Sequence, residues 1–365
     1  MRYFLKRTMN SKPEKINIVL SGGGTGGSVT PLIAIAETLN EKYLERFNFT
    51  WVGTESGVER AMTRNYPFVY HAIAAGKLRR YFSFENVIDV INVIIGFFQS
   101  LALLSKIKPQ LVMSAGGFVS VPLVWAAKLS NIPVIIHQQD IRPGLANKLM
   151  SPCATIITVT FEKNVQDYGT KAVWTGNPIR GAFAKITVNK PEQKSRPSIL
   201  ILGGGTGSEA INNLVRETIN SIIQFADIVH ITGKHDIKPE LSKEQSGYQC
   251  YDLLDTIHVA EVMKQADLVV TRAGLGTLSE LSFLGKATII IPIPHSHQED
   301  NANYFGEQEA AIVLQQENVS NEKFVLTISE LIRNPEQRKK LGENMNRLMK
   351  HDANEKIAEI IETLI

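Results

Sequence analysis

The chain of 365 residues has little cysteine, little net charge and no long uninterrupted apolar run. Its two cysteines, Cys153 and Cys250, lie far apart and form neither a disulfide framework nor a metal-ligand spacing, which is typical of a reducing cytoplasm. A formal net charge of +3 is too small to indicate nucleic acid as a partner. Residues 1–14 are basic and lack the apolar core of a signal peptide, so we interpret them as a basic tail.

A glycine-rich pentapeptide, Gly-Gly-Gly-Thr-Gly, occurs twice, at Gly22–Gly26 and at Gly203–Gly207. Each copy follows an apolar run suited to a buried strand and precedes a segment with helical spacing. A strand, a glycine turn and a helix begin a parallel α/β domain, and the free N–H groups of such a turn can bind an anion. A tight turn without a ligand would explain one copy. Two copies predict an α/β protein with two Rossmann-like, doubly wound parallel-sheet domains and a diphosphate-bearing ligand in the cleft between them.

The remaining apolar runs predict the order of the elements. Residues 15–178 are expected to form the first domain and residues 179–345 the second, with a C-terminal helix at 346–365 packing back toward the first. The turn chemistry of Thr175–Arg180 predicts the crossover. Short buried strands are predicted at 16–20, 49–52, 68–73, 111–114, 134–137, 156–159, 172–174, 199–202, 228–232, 268–271 and 288–292.

The segment from Lys77 to Leu104 differs from its surroundings. Polar residues interrupt the apolar run Val87–Leu104, so we expect a buried crossover helix there and not a membrane span. Ahead of it, cations stand beside aromatic side chains, as on a surface that rests on anionic lipid headgroups. A solvated basic loop explains that segment equally well. The residues concerned are Lys77, Arg79, Arg80, Tyr81, Phe82 and Phe84.

Seven short motifs occur in order along both halves of the chain, namely Gly23–Pro31, Gly116–Ser120, Ile132–Asp140, Gly176–Arg180, Gly203–Gly207, Arg272–Glu280 and His297–Ala302. With these motifs, the chain from Ile16 onward resembles the MurG-like family of peptidoglycan glycosyltransferases. This resemblance implies a GT-B fold and transfer of GlcNAc from UDP-GlcNAc to lipid-linked muramyl-pentapeptide. It also implies a peripheral position on the cytoplasmic leaflet of the membrane.

The same resemblance implies where the donor UDP-GlcNAc binds. The string Ala273–Glu280 would hold the diphosphate at a helix start, through Ala273, Gly274, Gly276, Thr277 and Leu278, and Glu280 would accept from the ribose hydroxyls. Gln298 and Asn301 would contact the sugar, and Arg180, Gly205 and Thr206 the phosphates. The alternatives are structural roles without ligand contact: a helix-capping role for Glu280, a polar helix start for Gln298 and Asn301, and an interdomain salt bridge for Arg180. The chain has no Asp-x-Asp pair for a diphosphate-bound cation, so no metal and no cofactor are expected.

The acceptor side departs from the family pattern. Thr25, Gly26 and Gly27 would hold the lipid diphosphate, but Ser28 stands where the family usually has a histidine that is a candidate base. The segment His137–Asp140 carries its carboxylate at the fourth position instead of the second. We therefore hypothesise that Asp140 is the catalytic base and His137 the reserve. A helix cap is the alternative role for Asp140, and a structural role is the alternative for His137.

Three other functions stay open at this point. They are a related transferase with a different lipid or small-molecule acceptor, a UDP-sugar 2-epimerase on a similar two-domain scaffold, and a non-catalytic sugar-nucleotide binding protein. The two departures described above lie in the acceptor domain, so they bear directly on the first of these. An epimerase would have no need of the basic and aromatic segment that ends at Phe84.

Overall fold

The computed structural model describes residues 15–44, 46–76, 85–186, 196–205, 207–233 and 246–365. The predicted basic tail, Thr206 and all six predicted membrane-contact residues between Lys77 and Phe84 lie outside the described residues. Each half of the chain contains one parallel β-sheet with helices on both faces.

The first sheet contains seven strands, and its interior strands are buried along their length, as in a sheet covered on both faces. The strands are β1 (Ile16–Ser21), β2 (Phe47–Gly53), β3 (Val69–Ala72), β4 (Leu111–Ser114), β5 (Val134–Gln138), β6 (Ile156–Val159) and β7 (Ala172–Trp174). The helices are α1 (Thr30–Tyr43), α2 (Val58–Thr63), α3 (Glu85–Ile107), α4 (Ser120–Leu129), α5 (Leu145–Met150) and α6 (Val165–Tyr168).

The second sheet contains six parallel strands and follows a short helix, α7 (Gly181–Ala184). Its strands are β8 (Ser198–Leu202), β9 (Asp227–Ile231), β10 (Tyr248–Tyr251), β11 (Leu268–Thr271), β12 (Thr288–Ile290) and β13 (Ile312–Val313). The remaining helices are α8 (Glu209–Ile222), α9 (Thr256–Gln265), α10 (Leu275–Leu284), α11 (His297–Glu307), α12 (Asn321–Arg333), α13 (Pro335–Arg347) and α14 (Ala353–Leu364).

The strand order places both glycine turns at equivalent points. The orders are β3-β2-β1-β4-β5-β6-β7 and β10-β9-β8-β11-β12-β13, so the chain reverses its winding direction beside β1 and beside β8. Ligands of open parallel sheets bind outside the carboxyl ends of the strands at such a switch point. The two turns follow β1 and β8, and this position makes both of them candidates for ligand contact.

Helix α3 corrects one expectation. A buried crossover helix was predicted, but only one side of α3 packs on the protein, where it lies against α4 and buries Ser100 and Leu104. The other side exposes large apolar residues, with 44–63% of their surface accessible, namely Ile88, Val90, Ile91, Ile94, Ile95 and Phe98. Because the helix is apolar on nearly all sides, its sequence could not show which side is covered.

We call each parallel sheet with its helices a lobe, and the chain connects the two lobes twice. The chain first crosses from β7 to α7, and it returns at the end, where α14 packs on α1 and places Ile357, Ala358 and Ile361 in the core of the first lobe. Asn354 joins the two crossings, because its Oδ1 accepts from the Ile179 N–H at 3.0 Å and its Nδ2 donates to the Ile179 carbonyl at 3.0 Å.

Candidate active site

The first glycine turn lies between β1 and α1 and presents free amides. Within the part of the chain that the structure describes, the N–H groups of Thr25, Gly26 and Gly27 donate to no other residue. Ser28 is buried, and its Oγ donates to the carbonyls of Gly23 at 3.0 Å and Thr25 at 3.1 Å. The serine hydroxyl therefore closes the turn, while consecutive amides stay available to an anion.

The end of β5 places a carboxylate between the lobes. Asp140 is half-buried, and its Oδ1 accepts from Asn301 Nδ2 of the second lobe at 2.9 Å. Two buried glutamines hold this segment: Gln138 Nε2 donates to the Asp140 carbonyl at 2.7 Å, and Gln139 Nε2 ties the segment to the glycine turn by donating to the Gly27 carbonyl at 2.7 Å. Asp140 caps no helix, because α5 begins after Gly144 without a side-chain cap. The aspartate is thus held beside the glycine turn and the second lobe.

His137 belongs to a buried polar chain between the lobes. Its Nδ1 lies 2.9 Å from Thr158 Oγ1 and its Nε2 lies 2.7 Å from Asn177 Oδ1. Asn177 Nδ2 donates in turn to Ser279 Oγ, at 2.8 Å, in the first half of α10. Burial lowers the pKa of His137 to about 4, against the smaller raising effect of the hydrogen bond to Asn177. His137 is therefore neutral near pH 7 and has both ring nitrogens engaged, which fits the structural role.

Helix α10 presents an uncapped N-terminus to the first lobe. Gly274 precedes the helix without a side-chain cap, and Leu278 is the first residue whose N–H finds a carbonyl within it. A helix start leaves its first N–H groups unpaired and carries a partial positive charge. A Cβ on Gly276 would stand 3.0 Å from Thr30 Oγ1 at the start of α1. The first turns of α10 and α1 therefore meet across the cleft, where negative charge would be stabilised.

Arg180 and Glu280 form a bidentate ion pair beside that helix. Arg180 Nε lies 2.7 Å from Glu280 Oε1, and Nη2 lies 3.0 Å from Oε2. Arg180 Nη1 also donates to Thr256 Oγ1 at 3.0 Å. Burial lowers the pKa of Arg180, but the Glu280 carboxylate outweighs it and the pKa is raised. The pair leaves the carboxylate with lone pairs for further donors, since an ionised carboxylate can accept about four hydrogen bonds.

The start of α11 is tied to the end of β11. Asn301 is fully buried, and its Oδ1 accepts from the Ile141 N–H at 3.1 Å while its Nδ2 donates to the Ala273 carbonyl at 3.1 Å as well as to Asp140. Gln298 Oε1 accepts from the Ala273 N–H at 3.3 Å. Both amides thus hold the chain ahead of α10, and Asn301 also holds the first lobe.

The buried Arg272 supports the same region. Its guanidinium donates to the carbonyls of Ile291 and Pro292, at 2.9 Å and 3.0 Å, and to Gln316 Oε1 at 2.7 Å. Burial lowers its pKa. The contacts fix the loop between β12 and α11. In the second glycine turn, Gly205 is exposed, while Ser208 caps α8 by accepting from the Ile211 N–H at 3.3 Å.

The structure thus collects most of the predicted residues around one cleft. It also shows functional contacts that the sequence analysis missed. Asn177, Thr256 and Gln139 form hydrogen bonds with site residues that are distant in the sequence. Two of these residues lie within motifs that the sequence analysis quoted, Asn177 in Gly176–Arg180 and Gln139 in Ile132–Asp140, whereas Thr256 lies in none of them. Two parallel-sheet lobes, with a glycine turn and a helix N-terminus meeting at the cleft, define the class of proteins with the GT-B fold.

Comparison with known proteins gives the family. Residues 18–159 match the glycosyltransferase family 28 N-terminal domain, and residues 198–364 match its C-terminal domain. A UDP-N-acetylglucosamine–N-acetylmuramyl-(pentapeptide) pyrophosphoryl-undecaprenol N-acetylglucosamine transferase from Clostridium kluyveri is 40% identical, over 83% of this chain and 87% of the relative. The protein of the same name from Clostridium novyi is 35% identical, over 95% and 98%. The chain therefore belongs to glycosyltransferase family 28 and, within it, to the MurG family.

Solved structures agree on the fold. The crystal structure of Acinetobacter baumannii MurG has a TM-score of 0.74 and 22% identity, covering 95% of this chain and 99% of the other. A UDP-GlcNAc 2-epimerase from Neisseria meningitidis, bound to UDP-GlcNAc, has a TM-score of 0.65 and 15% identity, covering 96% and 100%. At these identities the likeness concerns the GT-B fold alone.

Proposed function

We propose that the chain transfers GlcNAc from UDP-GlcNAc to undecaprenyl-diphospho-muramyl-pentapeptide, with inversion at the sugar carbon, in peptidoglycan synthesis. Relatives at 35–40% identity over most of the chain carry this activity in their names. The single observation that carries the proposal is the meeting of two anion-binding elements: the first glycine turn and the N-terminus of α10 face one another across the cleft.

The donor binds at the second lobe. The free N–H groups at Gly274–Thr277 take the UDP diphosphate, whose charge grows as the sugar bond breaks. Glu280 accepts from the ribose hydroxyls, and the ion pair with Arg180 keeps its carboxylate in place. Gln298 contacts the sugar from the start of α11, while the buried Asn301, whose amide is already hydrogen-bonded on both sides, holds the lobes together beside the sugar site. Gly205, in the exposed second glycine turn, contacts the phosphates, and the contact predicted for Thr206 concerns a residue outside the described part of the chain.

The acceptor binds at the first lobe. The free amides of Thr25, Gly26 and Gly27 hold the lipid diphosphate, as a compact glycine turn can. Asp140 then stands beside the acceptor, with one carboxylate oxygen held by Asn301 and the other available to a proton. In this role it removes the proton from the attacking sugar hydroxyl as general base. The Ser28 hydroxyl donates to two carbonyls within the glycine turn, so we assign the role of base to Asp140 and not to Ser28.

The membrane contact is made by the exposed face of α3. Ile88, Ile91, Ile95 and Phe98 recur at helical spacing on the side away from α4. The helix is long and apolar enough to span a bilayer by length and composition, but its opposite side is packed on the protein. A helix of this kind lies in the interface with its apolar face among the lipids. The predicted contacts from Lys77 to Phe84 immediately precede it in the chain and add positive charge for anionic headgroups.

The alternatives differ at identifiable points. A 2-epimerase has no acceptor, so it needs neither the free amides of the first turn nor the apolar face of α3. A related transferase with another lipid acceptor uses the same elements. A non-catalytic binding protein keeps the donor site and lacks a working base. Whether Asp140 acts as a base therefore distinguishes this alternative from the proposed transferase.

A turnover assay tests the proposal. Purified protein is incubated with radiolabelled UDP-GlcNAc and a short-chain lipid I analogue, with EDTA present throughout. Labelled disaccharide-lipid product is the expected result, and it also supports a site that needs no metal. Binding of UDP without product from this acceptor would refute the proposed reaction, and release of UDP with formation of a free 2-epimeric sugar would identify an epimerase.

A further inference from the structure

Glu59, in α2, is a buried carboxylate that the reaction described above does not use. The residue is 0% exposed. Among the described residues it forms no salt bridge, since its neighbour Arg60 pairs with Glu55. A buried charge without an opposite charge is costly unless hydrogen-bond donors surround it.

Those donors come from two separate segments. Glu59 Oε1 accepts from the Thr54 N–H at 2.8 Å and from Thr54 Oγ1 at 2.7 Å, at the end of β2. Glu59 Oε2 accepts from the Gly24 N–H at 3.3 Å, inside the first glycine turn. The carboxylate therefore connects the turn after β1 to the end of the neighbouring strand.

The backbone leaves room for this carboxylate and for little else. A Cβ on Gly23 would lie 2.8 Å from Glu59 Cδ, and a Cβ on Gly57 would lie 2.2 Å from each carboxylate oxygen. Real Cβ atoms do not approach this closely, so both positions require glycine while Glu59 occupies its site. Gly23 is therefore required for the packing of the Glu59 carboxylate against the turn, whether or not a ligand binds to the turn.

We propose that Glu59 is a positioning residue that sets the first glycine turn for the acceptor diphosphate, an inference that rests on the proposed function. Gly24 has φ of +86°, and its amide points inward to Glu59. The next three amides, of Thr25, Gly26 and Gly27, are left free. By holding Gly24, the carboxylate fixes where those three N–H groups point without touching the ligand.

The test is Glu59→Gln, which keeps the size and the acceptor for Thr54 but turns an NH₂ group toward the Gly24 N–H. Glu55→Gln is the matched control, because Glu55 lies four residues earlier on the surface. We expect KM for a short-chain lipid I analogue to rise about tenfold, because the glycine turn loses one of the hydrogen bonds that set its free amides. The KM for UDP-GlcNAc and kcat are expected to stay within about twofold, as one lost contact at the acceptor side predicts.

A second readout does not depend on turnover. Hydrogen exchange of the peptide that contains residues 22–28 is expected to speed up in Glu59→Gln and not in Glu55→Gln. If the native enzyme makes no product, the proposed function fails and the exchange experiment still decides the role of Glu59. Thr54→Val removes one of the three donors and gives the same comparison if Glu59→Gln does not fold. Unchanged exchange together with an unchanged acceptor KM, or equal changes of both KM values, would overturn the inference.

Discussion

Replacing Asp140 by asparagine separates its proposed chemistry from its structural contact. The asparagine Oδ1 can still accept from Asn301 Nδ2, so the contact between the lobes is kept. What is lost is the basic carboxylate oxygen. General bases contribute typically 10²–10⁴ in rate, so we expect kcat to fall by at least about a hundredfold, or about 3 kcal/mol in the activation barrier.

The same contacts limit the effect on stability. Exchanging a carboxylate for an amide acceptor weakens one hydrogen bond, which is worth about 1–2 kcal/mol at most. The Kd for UDP is expected to stay unchanged, because Asp140 belongs to the first lobe, where we propose that the acceptor binds, and not to the proposed UDP site on the second lobe. The assay is turnover at saturating UDP-GlcNAc and lipid I analogue, with UDP binding measured by calorimetry on the same preparation.

Asp167→Asn is the matched control. Asp167 also accepts from an asparagine amide, with Asn164 Nδ2 at 2.8 Å from its Oδ2, but it is exposed on α6. That variant is expected to retain normal turnover. If Asp140→Asn turns over within about tenfold of the native enzyme, the assignment of the base is refuted, since a lost general base costs more than that.

Two further predictions concern stability and the membrane. Burial lowers the pKa of His137 and of His230 to about 4, so between that pH and 6.5 the unfolded chain binds more protons than the folded one. The free energy of unfolding therefore decreases as the pH is lowered, by about 2 kcal/mol per histidine at pH 5. In urea unfolding, His230→Gln should lose less stability between pH 7 and pH 5 than the native protein does. An equal loss in both proteins would contradict this linkage between protonation and stability. On α3, the double variant Ile91→Ser/Phe98→Ser is expected to bind anionic vesicles about a hundredfold less tightly, at about 1.5 kcal/mol or more per apolar side chain. Leu326→Ser, an equally exposed leucine on α12, is the control in co-sedimentation, and equal binding by all variants would exclude α3 as the contact.

Much of the fold could be predicted because its signals are local. Short apolar runs followed by glycine or polar residues gave most strands within a residue or two, and 111–114, 156–159, 172–174 and 268–271 were predicted with the bounds observed. Strands β10 and β13 were missed. The first, Tyr248–Tyr251, reads Tyr-Gln-Cys-Tyr and contains no apolar run, and the second, Ile312–Val313, is too short to show a period.

Helix α3 shows where local signals end. Its length and apolar content fit both a core helix and a surface helix, and only the position of α4 decides which side is covered. Which side of such a helix is buried depends on packing between segments that are distant in sequence, and the periodicity of the helix itself gives no information about that packing.

The candidate site divides in the same way. Motifs located the glycine turns, α10 and Asp140, because each carries its chemistry within a few residues. The contacts that hold them, such as Glu59 with Gly24 and Asn177 with Ser279, join residues that are far apart in the chain. Even Asn301, which was predicted from its motif, has a contact with Asp140 that no motif shows. That contact became visible only when both lobes were seen together.

The double connection between the lobes limits how they can move. A single linker would join the lobes at one place in the sequence, whereas here two crossings, one near the middle of the chain and one near its end, are hydrogen-bonded to each other through Asn354 and Ile179. A displacement of one lobe against the other therefore has to strain both crossings as well as direct contacts such as the one between Asp140 and Asn301. The final helix thus helps to set the spacing of the lobes, and the geometry around Asp140 depends on residues at the far end of the chain.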